Sequence, residues 1–237
     1  AAALERELGA GFRVRAAMRF SEPSIERVAH ELAVQVDELV GIVLSPQWSD
    51  VLMSGYERAL ADAASVRGLR WRMIRGWHTE PAFVELVAEL LRAGLEGLNG
   101  PAILLTAHSV PRRVYDAEPG YIEQLRTTAA AIAHAAGLRP EDWRFAYQSA
   151  GHTQEEWLRP DLVELFPEIA ASGATSVLVV PVQFLADHLE ILYDLDIAAR
   201  AQAENARLEY HRIAMPNDRP ELARALAGVV RGAAVPG

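Results

Sequence analysis

There is no cysteine in this sequence of 237 residues. Disulfides, thiolate metal sites and thiol nucleophiles are therefore excluded, and a metal would need His, Asp, Glu, Tyr or Met. Positive charge is also short: 23 basic against 32 acidic residues give a net charge of -9. That sign disfavours a general nucleic-acid binder, because neutralising phosphates needs a basic surface. No apolar run reaches the ~18 residues of a membrane span, and there is no low-complexity segment. The opening residues AAALERELGAGF lack the basic start and long apolar stretch of a secretory leader. They read as a helix already under way, which raises the expectation of a shortened chain. Several catalytic fingerprints are missing too. No G-x-G-x-x-G follows a strand, and no G-x-x-x-x-G-K-[ST], H-E-x-x-H or G-x-S-x-G occurs.

What is present is ample apolar material, 51% of the chain, arranged in alternating short runs and amphipathic segments. Strands are predicted over residues 12–18, 39–44, 69–74, 102–107, 143–149, 176–184 and 208–213. Helices are predicted over residues 25–36, 54–66, 81–93, 121–136, 162–171, 187–207 and 220–232. Strand alternating with helix predicts an α/β fold of parallel sheets covered on both faces, the doubly wound (Rossmann-like) class. The breaker cluster LEGLNGP at residues 95–101 divides two similar lobes with a cleft between them. The expected lobes are 1–98 and 99–237, with the last helix, 220–232, packing back on the first.

Ligands of such folds sit beyond the carboxyl ends of the strands, so the strand exits matter most. His108 and Ser109 end one strand. Neighbouring residues on an extended segment point in opposite directions, so His108 is poorly placed to activate Ser109. A single His at such a place also reads as a polar terminus or a satisfied core histidine. The stretch VPVQFLADHLEILYDLD, residues 180–196, turns from apolar to acidic. Asp187 and Glu190 have capping-box spacing. At 100° per residue Asp187, Glu190 and Asp194 share one face, with Leu185, Leu189 and Leu192 opposite. An ordinary amphipathic helix explains that pattern equally.

Four ordered stretches, LLTAHSVP, YQSAGHTQEEWLRPD, VPVQFLADHLEILYDLD and MPNDRPELARAL, together resemble the ferrochelatase family. The resemblance extends upstream to AMRFSEPSIE and SPQWSDVLMSGY, and the wording is most like the bacterial coproporphyrin type. It implies insertion of ferrous iron into a porphyrin, with coproporphyrin III favoured over protoporphyrin IX, in the cytoplasm, by a monomer. Iron is then a substrate, and no prosthetic group is required.

By the same resemblance His108 and Glu190 face each other across the cleft and handle metal and pyrrole protons. Asp194 continues an acidic row for metal entry that stops at Ala198. Asp187 and His188 stand behind them. Trp157, Gln47, Trp48, Ser49, Ser54, Tyr56 and Ser109 contact the porphyrin. The family begins with a further strand and a cleft loop that this sequence lacks, and no cysteine-bound cluster extension is present. The alternatives are a non-catalytic porphyrin- or haem-binding protein and a chelatase for cobalt or nickel on a related tetrapyrrole, since His and carboxylate do not select one metal strongly.

Overall fold

The computed structural model describes residues 1–151 and 153–234. His152 of the QSAGHT motif, and residues 235–237 at the end of the second lobe, lie outside the described residues. In chain order the elements are α1 (Ala2–Leu8), α2 (Ile25–Leu32), β1 (Glu38–Ile42), α3 (Asp50–Ser65), β2 (Arg70–Ile74) and α4 (Pro81–Leu95). Then come β3 (Ala102–His108), α5 (Arg112–Ala117), α6 (Pro119–Ala135), β4 (Trp143–Gln148), α7 (Leu162–Ala171) and β5 (Ser176–Pro181). A π-helix (Glu190–Ala199), α8 (Arg200–Asn205), β6 (Glu209–Arg212) and α9 (Pro220–Ala234) complete the chain.

Two parallel sheets result, as the alternation of elements predicts. The first is β1-β2, and the second has the order β4-β3-β5-β6. The second is built on β5, SVLVVP, every residue of which is buried. Successive strand residues face opposite sides, so this run serves two cores. Leu178 and Val180 join Ile103 and Leu105 of β3 in one cluster with α4, α6 and α9. Val177 and Val179 join Leu104 in a second, with α7, the π-helix and Tyr210.

Helix α4 starts with Pro81, where a missing N–H is harmless, and buries Phe83, Leu86, Val87, Leu90 and Leu91 on one stripe. Its cluster also takes in Ile74 of β2 and Trp77 just after it. At Gly94 an added Cβ would lie 2.9 Å from Ile213, so α4 needs glycine there to reach the end of β6. Helix α9 packs against both α1 and α4. One apolar core thus joins the two sheets.

Two local expectations fail, and one helix is unforeseen. Residues 12–18 form no strand: the Val14 N–H donates to the Glu5 carboxylate at 2.7 Å, and only Met18 bridges, to Ser24. The alternation of Arg with apolar residues there reflects side chains that lie along α1, with Phe12 and Val14 packed on the main core. A short helix, α5, follows β3 unforeseen. The single helix expected over 187–207 is instead a π-helix continued by α8.

The lobes are also tied by polar contacts. Glu118, just before α6, caps α3 from the other lobe. Its Oε2 accepts from the Ser49 hydroxyl at 2.5 Å, and its Oε1 from the Asp50 N–H at 2.8 Å. The Ser49 hydroxyl in turn accepts the Leu52 N–H at 3.2 Å. A carboxylate at a helix N-terminus answers free N–H groups and the helix dipole together. Gln124 of α6 grips Trp48 twice, accepting its N–H and donating to its carbonyl, both at 2.9 Å. Replacing Glu118 by alanine removes a cap that such contacts value at about 1–2 kcal/mol. For a chain of this size the expected fall in melting temperature is roughly 2–8 °C. Calorimetry showing an unchanged melting temperature would remove the cap from the account.

Candidate active site

Strand β3 lies between β4 and β5 in the sheet, yet β4 and β5 follow it in sequence. The chain therefore leaves β3 and β5 on opposite faces, which opens a crevice at their carboxyl ends. His108 is the last residue of β3, and the π-helix begins a short loop after β5. Past Pro181, Gln183 substitutes for the strand: its Oε1 accepts the His108 N–H at 2.8 Å, and its Nε2 donates to the Tyr121 hydroxyl at 2.7 Å. Burial pushes the Tyr121 phenol up to about 12, so it stays protonated.

Across the crevice the His108 Nε2 faces the Glu190 Oε2 at 3.4 Å. The His108 Nδ1 lies 2.6 Å from the Ser109 carbonyl oxygen. A carbonyl only accepts, so Nδ1 carries a proton and donates, and Nε2 is the ring nitrogen turned toward Glu190. Neither group is closed off: the side chains are 27% and 51% exposed. Phe184 stands edge-on between the two imidazoles, 6.4 Å from His108 and 4.5 Å from His188 between ring centroids. His188 is exposed, and its carbonyl receives the first N–H groups of the π-helix.

The π-helix arranges its residues in three stripes of four-residue spacing. Ile191, Leu195 and Ala199 are buried in the second core. Glu190, Asp194 and Ala198 form the row beside them. Leu189, Tyr193 and Ile197 are 78%, 57% and 59% exposed. The α-helical wheel placed Leu185, Leu189 and Leu192 on the buried side. Only Leu185 is buried, at 7%, whereas Leu192 is 49% exposed. A four-residue stripe drifts by about 40° per step on an α-helix, which the wider π turn reduces. Asp187 also departs from its capping reading. Its carboxylate does not cap the helix but accepts from Arg212 at 3.1 Å and from Asn217 at 2.8 Å. Among the described residues no three of His, Asp or Glu converge, so Asp194 stands apart from the His108–Glu190 pair.

The residues expected at the porphyrin divide into two groups. Gln47 and Ser49 are fully buried, Trp48 is 7% exposed and Ser109 1%. Gln47 donates to the Thr128 hydroxyl at 2.9 Å and Ser109 to the Leu158 carbonyl at 2.9 Å. These four are engaged in contacts inside and between the lobes and are nearly covered. Ser54, Tyr56 and Trp157 remain partly open. Trp157 belongs to the loop after β4, which is stitched to the exit of β3 by Leu158 N–H to Val110 O and Arg112 N–H to Glu156 O, at 3.1 and 2.7 Å. Its ring covers Gly151, where a Cβ would lie 2.4 Å from Cζ2, and its Nε1–H donates to the Thr153 hydroxyl at 3.0 Å.

Sequence reasoning overlooked several supporting residues. Gln183 was visible as a lone polar residue inside VPVQF. Arg19 had no such signal. Its guanidinium lies 4.6 Å from the Phe20 ring centroid and 5.3 Å from that of Tyr56, resting against Gly55 of α3. The chain has no lysine, so arginine supplies every cationic side chain other than protonated histidine.

Comparison with known proteins bears on the fold and the family. Among solved structures, CbiX, the terminal enzyme of sirohaem biosynthesis in denitrifying bacteria, superposes with a TM-score of 0.66 at 18% identity, over 99% of this chain and 89% of its own. SirB from Bacillus subtilis with Fe3+ superposes with the same TM-score at 17% identity, over 99% and 88%. Both share the fold. The coproporphyrin III ferrochelatase of Geobacillus sp. strain WCH70 is 38% identical over 92% of this chain and 73% of its own. The ferrochelatase of Herpetosiphon aurantiacus is 34% identical over 98% and 78%. A family model, Ferrochelatase, matches residues 1–234. This chain belongs to the ferrochelatase family, enzymes that insert a metal ion into a porphyrin.

Proposed function

We propose that this enzyme inserts ferrous iron into coproporphyrin III, with His108 and Glu190 receiving the metal and the two pyrrole protons. The observation that carries the proposal is the 3.4 Å approach of His108 Nε2 to Glu190 Oε2 at the exit of adjacent parallel strands. Two donors about 2.1 Å from one metal at a tetrahedral angle lie roughly 3.4 Å apart. The pair can therefore share an ion without rearranging. Two donors are too few to retain it, which suits a metal that must be passed to four pyrrole nitrogens. As the iron enters, two N–H protons leave the macrocycle. The imidazole lone pair and the carboxylate can each accept one and release it to solvent along the Asp194 side. No prosthetic group takes part, and iron enters as substrate.

The exposed Leu189 and Tyr193 beside Glu190 offer an apolar surface for a flat macrocycle, and Trp157, on the loop after β4, is the aromatic we assign to it as well. Arg19, held against α3 by two rings, is the cation we assign to a propionate. A carboxylate–guanidinium pair gives both charge and a planar fork. Four propionates rather than two would favour coproporphyrin, in keeping with relatives that bear that name.

Three outcomes follow. In anaerobic ferrous-iron insertion with the two porphyrins side by side, kcat/KM is expected to be at least ~10-fold higher for coproporphyrin III, the scale of one polar contact of about 1.4 kcal/mol. A preference for protoporphyrin IX would overturn the substrate assignment. His108→Ala is expected to lower kcat by about 10²–10⁴-fold, the range of a lost general base, with the circular dichroism spectrum unchanged. Normal turnover would refute its role. Arg19→Met is expected to raise KM for coproporphyrin III several-fold while kcat holds, and an unaltered KM would release Arg19 from the propionate.

A further inference from the structure

Asp196 ends the acidic stretch of residues 180–196, and Arg212 falls in LEYHRI, residues 208–213. The structure joins them. Arg212 ends β6, beside Val179 of β5, with its side chain only 11% exposed. Its Nε donates to Asp196 Oδ1 at 2.7 Å and its Nη2 to Asp196 Oδ2 at 2.8 Å, a bidentate fork. The same Nη2 reaches Asp187 Oδ1 at 3.1 Å, and Nη1 donates to the Ile213 carbonyl at 2.8 Å. Asn217 closes the ring from the other side. It donates to Asp187 Oδ2 and accepts the Asp187 N–H, at 2.8 and 2.9 Å. Asp187 lies three residues before Glu190, and Asp196 six after it. One guanidinium on the sheet therefore holds both the loop just before the π-helix, at Asp187, and the helix itself, at Asp196.

A π-helix of ten residues is unusual, since most are single turns within α-helices, and they concentrate at functional sites. Such a conformation persists where its surroundings over-determine it. The buried stripe Ile191–Leu195–Ala199 fixes which face of the helix meets the core. Apolar contacts are non-directional and set the helix's position along its axis only loosely. A bidentate guanidinium–carboxylate pair sets it much more tightly. We propose that Arg212 is a positioning residue of the reaction: through Asp196 and Asp187 it holds the π-helix in the register that sets Glu190 opposite His108. This inference rests on the role given to Glu190 above.

The test uses the full chain with coproporphyrin III and ferrous iron, together with hydrogen exchange of the amides of residues 189–199. Arg212→Met is expected to lower kcat by about 10–100-fold, the usual effect of removing a partner that orients a reacting group. KM should change less than ~3-fold, and amides 189–199 should exchange faster while those of β3 and β5 do not. Arg212→Lys keeps the charge but loses the fork, and is expected to behave like Arg212→Met. Asp196→Asn preserves shape and is the second variant should Arg212→Met fold poorly; it is expected to shift exchange and kcat the same way. Wild-type kcat in these variants, or a lowered kcat with unchanged exchange over 189–199, overturns the proposal. Glu190→Gln measured alongside separates the two claims. If it turns over normally while Arg212→Met loosens the helix and slows turnover, the role of Glu190 fails and the positioning role of Arg212 stands.

Discussion

The site depends on one constraint of backbone pairing: β3 and β5 are parallel neighbours, in register from Ala102 opposite Val177 to Thr106 opposite Pro181. Because their connections leave on opposite faces, whatever follows each strand must meet at the same edge. Proline has no N–H to continue the ladder, and pairing changes character there. The Val182 N–H still donates to the Thr106 carbonyl at 2.9 Å, but the next strand N–H, that of His108, is taken by a side chain, Gln183. The end of the ladder is thus the beginning of the site. Pairing that positions a β-strand to within a fraction of an ångström carries His108 with it.

The surrounding structure secures the other half. Glu190 stands on a helix whose wide turns are matched to a buried stripe at every fourth residue, and the first lobe is tied on by α4, α9 and the Glu118 and Gln124 contacts. The result is a crevice with an open, incomplete donor pair and exposed apolar side chains at its rim. A complete and buried set of ligands would hold a metal as a structural part. The incomplete one is suited, in the proposed reaction, to an ion in transit.

Much of this was legible in the sequence, for reasons that also explain what was not. The strands of the second sheet were visible because doubly covered strands are continuous apolar runs, as SVLVVP is. Residues 12–18 deceived because alternating arginines mimic a half-buried strand, and the true partner of Val14, Glu5, lies nine residues back. His108 was marked by its strand exit and Glu190 by the turn to acidic residues, but only the resemblance gave them roles, since a strand-end histidine and a helix glutamate are common. The wheel failed over 189–197 because 100° per residue is the wrong angle for a π-helix. Gln47, Trp48 and Ser49 look like ligand-facing residues in a strand-exit loop. Their burial is set by Thr128, Gln124 and Glu118, which lie 81, 76 and 69 residues away. No local pattern announces such partners.

The central claim is that His108 and Glu190 act as a unit on one ion and its displaced protons. Its most direct test is a double-variant cycle of single-turnover iron insertion, comparing His108→Ala, Glu190→Gln and the two combined. Groups that act together lose little more when both are removed than when one is. The account predicts a combined rate within about threefold of the slower single variant, with porphyrin binding intact in all three. Rate losses that multiply would show that the two side chains act independently, and would contradict it.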